Sequence, residues 1–598
     1  MHRRDFCKVL GGAATAFATS RGWPRSISDS VDGPETSDYA LFCARPESER
    51  SFSVVSGDRI IAEKLNPTTW KANTYDAPRI LPGIPDSWDG VPLKSPIAGL
   101  NGTGPFEANW DSLLHYEAPE WYQDAKFGIW AHWSPQCVPE KGDWYARNMY
   151  LEGSEQYRYH LEHFEHPSRF GYKDLCPQWT LLNWQPDELV DRYKKAGARF
   201  IFALANHHDG FDCWNSKYHP WNSQRIGPHR DVVGTWAKSA RERGLRFGVT
   251  VHQARNWWWF EPSHGADKQG PFAGVPYAYD GELTHLQDQN AWWQGFDPQV
   301  LYGPKHPADA LPDPSYVKNF YDRTRDLIEQ HDPDILYFDN SMFPLGWAGM
   351  NIAAFFYNRS LSRRGGKMDV AANIKNVPSH LVKGVVADFE RGLNNEIMPY
   401  VWQSETCIGN WHYDRGLYDQ PGEFGGYLHP RNVIRWLVDT VSKNGVFVLN
   451  IPGRPDGTID SKEIAVLDKI TAWMSVNSEA IYETRPWSIF GEGPNKAAAG
   501  AFHGDTVSSL GAKDIRFTRS KDKHVIYAII LGLPSGEMTI QALGLSSTFS
   551  PGRIEKLEVL GAPENLAWKQ TASGLTFTVS RPPEGIPEYG VTLKVRLS

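Results

Sequence analysis

The sequence predicts an α/β protein: a (β/α)8-type barrel followed by a C-terminal antiparallel β-sandwich. Three observations predict it. Short apolar runs alternate with amphipathic stretches over residues 121–487, and polar residues stand at the ends of those runs. Beyond residue 487 the pattern changes to short alternating segments separated by turn residues.

The runs at 127–133, 199–205, 245–251, 334–338 and 370–374 read as buried parallel strands, and the stretches 186–196 and 232–243, charged on one face, as helices between them. Strand alternating with helix means a parallel sheet, open or closed. His132, Asn206 with His207 and His208, His252 and Asp339 each stand at or just past a strand end, where a barrel builds its active site. An open doubly wound sheet would carry a glycine-rich phosphate loop after its first strand, and none is present. The segments 515–518, 525–530, 538–541, 554–559, 575–579 and 591–597 supply the sandwich.

At 598 residues the chain is too long for one core. It divides into a twin-arginine-type signal peptide (1–20), an irregular N-terminal segment rich in Pro, Gly, Ser and Asp (21–118), the barrel (119–487) and the sandwich (488–598). The signal rests on Arg3 and Arg4 followed by a short apolar run ending in Ala-Phe-Ala. It implies export to the periplasm or beyond. Proteins on that route fold before export, so a disulfide framework is not expected. Cys7 lies in the leader, and Cys43, Cys137, Cys176, Cys213 and Cys407 are odd in number without CxxC spacing, so they read as buried thiols.

Hydrophobic residues at 41% and charged residues at 22% are globular proportions, and no later stretch is apolar enough to span a bilayer. A net charge of -8 without a Lys/Arg-rich run argues against nucleic acid as a partner. The 25 Trp are abundant enough to serve both a core and the stacking of sugar rings.

Asp339 ends the run Ile335-Leu336-Tyr337-Phe338, which presents a carboxylate at an apolar rim. Such a group suits attack on an anomeric carbon, whose transition state is cationic; a helix- or turn-capping Asp is the plainer reading. In Asn206-His207-His208-Asp209 two imidazoles can bond sugar hydroxyls while Asp209 fixes a tautomer. Adjacent histidines in an extended chain point to opposite sides, and no HxH or HxxEH spacing accompanies them, so no metal site is expected. His132, with Asp143 and Trp144, adds groups suited to vicinal hydroxyls. Retention needs a second carboxylate, for which Glu390, flanked by Asp388 and Arg391, and Glu405 are the candidates. Asp388 and Arg391 are expected to tune Glu390 in opposite directions.

Several segments, in order, resemble the α-L-fucosidases, family 29 of the glycoside hydrolases. They are AKFGIWAHWS (125–134), Asp143-Trp144-Tyr145, FGYKD (170–174), AGARFIFALANHHDGFDCWNS (196–216), DILYFD (334–339), VSKNGVFVLNIPGRPDG (441–457) and VNSEAIYETRPW (476–487). The resemblance implies a retaining exo-glycosidase acting on a fucosylated oligosaccharide or polysaccharide without a cofactor. It makes Asp339 the nucleophile, His132 a sugar ligand, and Glu390 the acid/base with Glu405 in reserve. Trp130 and Tyr337 are the expected apolar floor for the fucose methyl, with His207, His208 and Arg391 among the binding groups. The chain departs from the family at Asn206 (usually Lys), Ser134 (usually Gly) and Asp143 (usually Glu). An α-L-galactosidase-like activity and a non-catalytic sugar-binding relative remain the alternatives.

Overall fold

The computed structural model describes residues 102–598 except 275–276, 285–290, 308–309, 376, 563–565 and 580–586, together with the backbone of a short antiparallel pair, Ser87–Trp88 and Val91–Pro92. The expected signal peptide and Cys43 lie outside the described residues. Eight parallel strands close a barrel: β1 (Phe127–Ala131), β2 (Phe200–Asn206), β3 (Arg246–Val251), β4 (Ile335–Ser341), β5 (Ala371–Lys375), β6 (Val386–Glu390), β7 (Trp402–Cys407) and β8 (Gly445–Asn450), with β8 returning to β1.

The helices obey their end signals. α1 (Pro186–Lys195) starts at a proline, carries Asp187 and Glu188 in its first turn and ends in basic residues. The side chain of Asp231 caps α2 (Val232–Glu242) by accepting the Gly234 N–H at 2.7 Å.

Strand periodicity sorts the barrel's side chains. Trp130, Phe200, Phe202, Ile335, Tyr337, Ala371, Val386, Val446 and Val448 form a core inside the barrel, while Ile129, Ile201, Leu336, Phe338 and Ile374 join the larger core under the helices. Two or four residues further along β1, β4, β5, β6 and β8, the same inward face carries His132, Asp339, Asn373 and Lys375, Asp388 and Glu390, and Asn450. The apolar floor therefore passes directly into a polar mouth. The register slips between Leu204 and Asn206 and between Phe338 and Ser341, irregularities that fall at Asn206 and around Asp339.

Beyond the barrel, strands β9 (Arg485–Glu492), β10 (Ile515–Arg519), β11 (Val525–Ile530), β12 (Glu537–Ile540), β13 (Ile554–Val559), β14 (Ala567–Gln570), β15 (Leu575–Thr578) and β16 (Val591–Leu597) form two antiparallel sheets, ordered β9-β10-β11-β16-β13 and β12-β15-β14. Phe517, Ile526, Leu593, Leu575 and Phe577 fill a shared core between them. Cys137, Cys176, Cys213 and Cys407 are buried free thiols. Among the described residues, nine tryptophans, including Trp133, Trp179 and Trp436, are fully buried. Among the described residues, no helix is long and apolar enough to cross a membrane.

Candidate active site

Asp339 is 7% exposed near the end of β4, where three groups reach its carboxylate. His208 Nε2 and His252 Nδ1 each lie 3.2 Å from one oxygen, and the Lys375 ammonium contacts the other. Burial pushes this carboxyl up, but Lys375, Arg255 and His252 outweigh it and hold Asp339 well below the usual carboxylate range. It is an anion held ready among fixed donors.

Lys375 is the hub of the site. Its Nζ also donates to Glu390 Oε2 at 2.6 Å and lies 3.6 Å from Glu405 Oε1. Sequence reasoning passed it over, although its place four residues after the inward Ala371 is the signal that finds it. Glu390 and Glu405 are register partners on the parallel neighbours β6 and β7, so they stand side by side. Their surroundings differ. The Glu390 side chain is 23% exposed, whereas Glu405 is buried and accepts the Tyr337 hydroxyl at 2.9 Å. Burial first, and then the neighbouring Asp388, hold Glu405 well above the usual carboxyl range, and burial pushes Asp388 up to about 7. Gln403 ties Asp388 to a buried polar layer with Tyr122 and Asn373.

A wall of imidazoles faces these carboxyls. His132 packs 5.2 Å from both His207 and His252 and 4.8 Å from His412, ring centre to ring centre. Both of its ring nitrogens are buried without a hydrogen-bond partner among the described residues. Burial, with His412 and His252 nearby, holds His132 well below the usual imidazole range; burial and His208 do the same for His207. Neutral rings can both donate to and accept from hydroxyls. Asp209 acts on His207 through Gln136, whose Nε2 donates to Asp209 Oδ2 at 2.8 Å and meets His207 Nδ1 at 2.7 Å. That arrangement makes Nδ1 the acceptor and leaves the ring proton on Nε2.

The adjacent pair His207 and His208 does not splay as expected. β2 ends at Asn206, the extended alternation ends with it, and the two rings lie 4.2 Å apart. Nitrogens of His207, His208 and His252 fall within 4.8 Å of one another. They could ligand a metal ion, but His208 and His252 already serve Asp339, and the Lys375 ammonium beside it opposes a further cation.

Trp130 and Tyr337 meet edge to face at 5.2 Å to form the floor, and Trp411 packs on Trp130 at 5.3 Å. Asp143 is not a free ligand: its two oxygens accept the backbone N–H groups of Trp411 and His412 at 3.1 and 2.8 Å. The shorter acid thus anchors the loop after β7. Ser134 supports the same loop, its hydroxyl 2.9 Å from His412 Nε2. Trp144 is 38% exposed and meets Trp259 edge to face, while Trp259 flanks His207 and His208. Arg391 is not gathered into the cluster. A left-handed backbone (φ 48°) just past β6 directs its guanidinium to Asp505, 3.2 Å away. Trp257 and Trp258 both donate to the Ala310 carbonyl, which makes them the core of their own loop.

Residues 97–479 match the family model described as alpha-L-fucosidase. The chain belongs to the α-L-fucosidase family. Its relatives in that family include tissue alpha-L-fucosidases of Bos taurus and Homo sapiens, each 27% identical over 82% of this chain and 91% of the relative. A Thermotoga maritima alpha-fucosidase solved in complex with fucose superposes with a TM-score of 0.58 at 25% identity, covering 82% of this chain and all of that one. Barrel and antiparallel sheets thus recur together in the family, and the chain is a glycoside hydrolase of this type.

Proposed function

We propose that the protein removes terminal α-L-fucose from oligosaccharides or glycans by double displacement with retention, Asp339 acting as nucleophile and Glu390 as acid/base. One observation carries the reading: a single ammonium contacts both carboxylates. Two charged hydrogen bonds of about 2.8 Å on one nitrogen keep the acceptor oxygens within about 5.6 Å of each other. Retaining enzymes hold their pair about 5 to 5.5 Å apart, and inverting ones about 6.5 to 9.5 Å. Glu405 lies close as well, but its burial beneath the Tyr337 hydroxyl leaves Glu390 the better placed to meet a leaving oxygen.

Glu390 protonates the leaving oxygen while Asp339 attacks the anomeric carbon; it then takes a proton from water as the glycosyl ester is hydrolysed. The neutral imidazoles of His132 and His207 hold the ring hydroxyls. The aromatic floor of Trp130 and Tyr337 suits a C6 methyl, which contributes about 1 kcal/mol by burial, and it favours L-fucose over L-galactose. Cleavage of 4-nitrophenyl α-L-fucoside, faster than that of the α-L-galactoside, is the expected result. A faster galactoside would reassign the sugar, and no turnover of either would leave a sugar-binding relative.

The Arg3-Arg4 leader supports export by the twin-arginine route. Replacing both with Lys should retain the protein inside the cell.

A further inference from the structure

Three carboxyl groups share one ammonium in this pocket, and only two of them have roles in the double displacement. Glu405, the third, is 1% exposed, with its Oε1 3.6 Å from Lys375 Nζ. The groups facing it are Asp388 and Glu390 on β6, Lys375 on β5, and Asp339 and Tyr337 on β4. Packed against Asp388 in so dry a place, it holds its proton, while Glu390 accepts the Lys375 ammonium at 2.6 Å.

A sugar attacked by Asp339 and protonated by Glu390 must lie between those two groups, in the space the ammonium bridges. Asp339 tolerates the loss of that bridge, because His208 and His252 hold its other oxygen and Arg255 adds positive charge nearby. Glu390 has no comparable second cation among the described residues.

We propose that Glu405 is the proton store for Glu390: when a sugar draws Lys375 out of its bridge, the ammonium pairs with Glu405 and the Glu405 proton passes to Glu390. The inference rests on the reading of Glu390 as acid/base. The step balances: an O–H bond breaks on Glu405, one forms on Glu390, and the ammonium moves from one carboxylate to the other with no change in net charge. The register pairing of Glu390 with Glu405 keeps donor and acceptor on neighbouring strands throughout. Once water has given its proton to Glu390 in the second displacement, the transfer runs back and Lys375 returns. Glu405 touches no substrate and acts through Glu390.

The test compares Glu405→Gln, which keeps shape and an acceptor for Tyr337 but stores no proton, with wild type on two substrates. Phenyl α-L-fucoside needs its leaving oxygen protonated; 2-chloro-4-nitrophenyl α-L-fucoside does not. In the variant, kcat on the phenyl substrate should fall on the order of a hundredfold, the low end of what general acid catalysis supplies. Turnover of the activated substrate should survive, and the alkaline limb of kcat/KM for the phenyl substrate should move to lower pH. Equal loss on both substrates, or wild-type behaviour on both, overturns the proposal alone. Azide rescue in Glu405→Ala but not in Glu390→Ala overturns it too, by making Glu405 itself the acid. Wild type inactive on both fucosides overturns the functional reading along with it. In the wild-type protein, the infrared band of the protonated carboxyl should shift when L-fucose is added; an unchanged band counts against the transfer.

Discussion

At the scale of single residues, charge and burial decide the chemistry. Asp339 and Glu405 are both buried carboxyls, yet cations and imidazoles hold one well down, while burial and Asp388 hold the other well up. The raised pair bears on stability with a definite sign. An unfolded chain releases the protons of Asp388 and Glu405 near pH 4, whereas the folded protein keeps that of Asp388 to about pH 7 and that of Glu405 well above its usual range. Folded protein therefore binds more protons across that interval, and this contribution to stability is full below about pH 4 and lost as pH rises. Glu405→Gln removes the Glu405 share. Urea unfolding from pH 4 to 8 should show the variant gaining on wild type as pH increases, and a constant difference would contradict the assignment.

At the scale of elements, period two builds the site. Trp130 leads to His132, Tyr337 to Asp339, Asn373 to Lys375 and Asp388 to Glu390, each on an inward face that begins apolar and ends polar. Strands β1 to β5 were legible because their apolar runs are nearly unbroken. β6 and β7 were not: Asp388, Glu390, Gln403 and Glu405 interrupt the pattern that marks a strand, and those same residues line the site. Asp339, His132 and the histidine pair could be found from the ends of runs. Lys375 was legible only through period two, four residues after the inward Ala371, and His412 was not, since nothing local marks a histidine brought in by a loop tied to Asp143. The barrel wall is tightly fitted where strands carry glycine. A Cβ on Gly128 would lie 2.2 Å from the Phe200 ring. Gly128→Ala should destabilise by about 1 to 3 kcal/mol through overpacking, read as a lower Tm; an unchanged Tm would show that β1 and β2 can part without loss.

At the scale of the whole molecule, the sandwich is keyed to the barrel by a buried ionic cluster. Asp439, on the helix Pro430–Ser442 before β8, accepts Lys443 Nζ at 2.6 Å and Arg516 Nε of β10 at 2.7 Å, and all three are nearly inaccessible. Removing the guanidinium by Arg516→Ala leaves a buried cluster short of one partner, a loss of about 3 to 5 kcal/mol. Calorimetry should then show a lower or a split transition. An undisturbed single transition would mean that the two units hold together by apolar contact alone. On the proposed mechanism, one ionised carboxylate, Asp339, meets the anomeric centre at the buried mouth of the barrel. The direct test is to trap it: incubate the protein with an activated 2-deoxy-2-fluoro-α-L-fucoside, digest, and find the labelled peptide by mass spectrometry. The label is expected on Asp339, with the first-formed sugar in the α configuration in a parallel NMR assay on an unmodified substrate. A label on another residue, or a β-configured first product, would contradict the account.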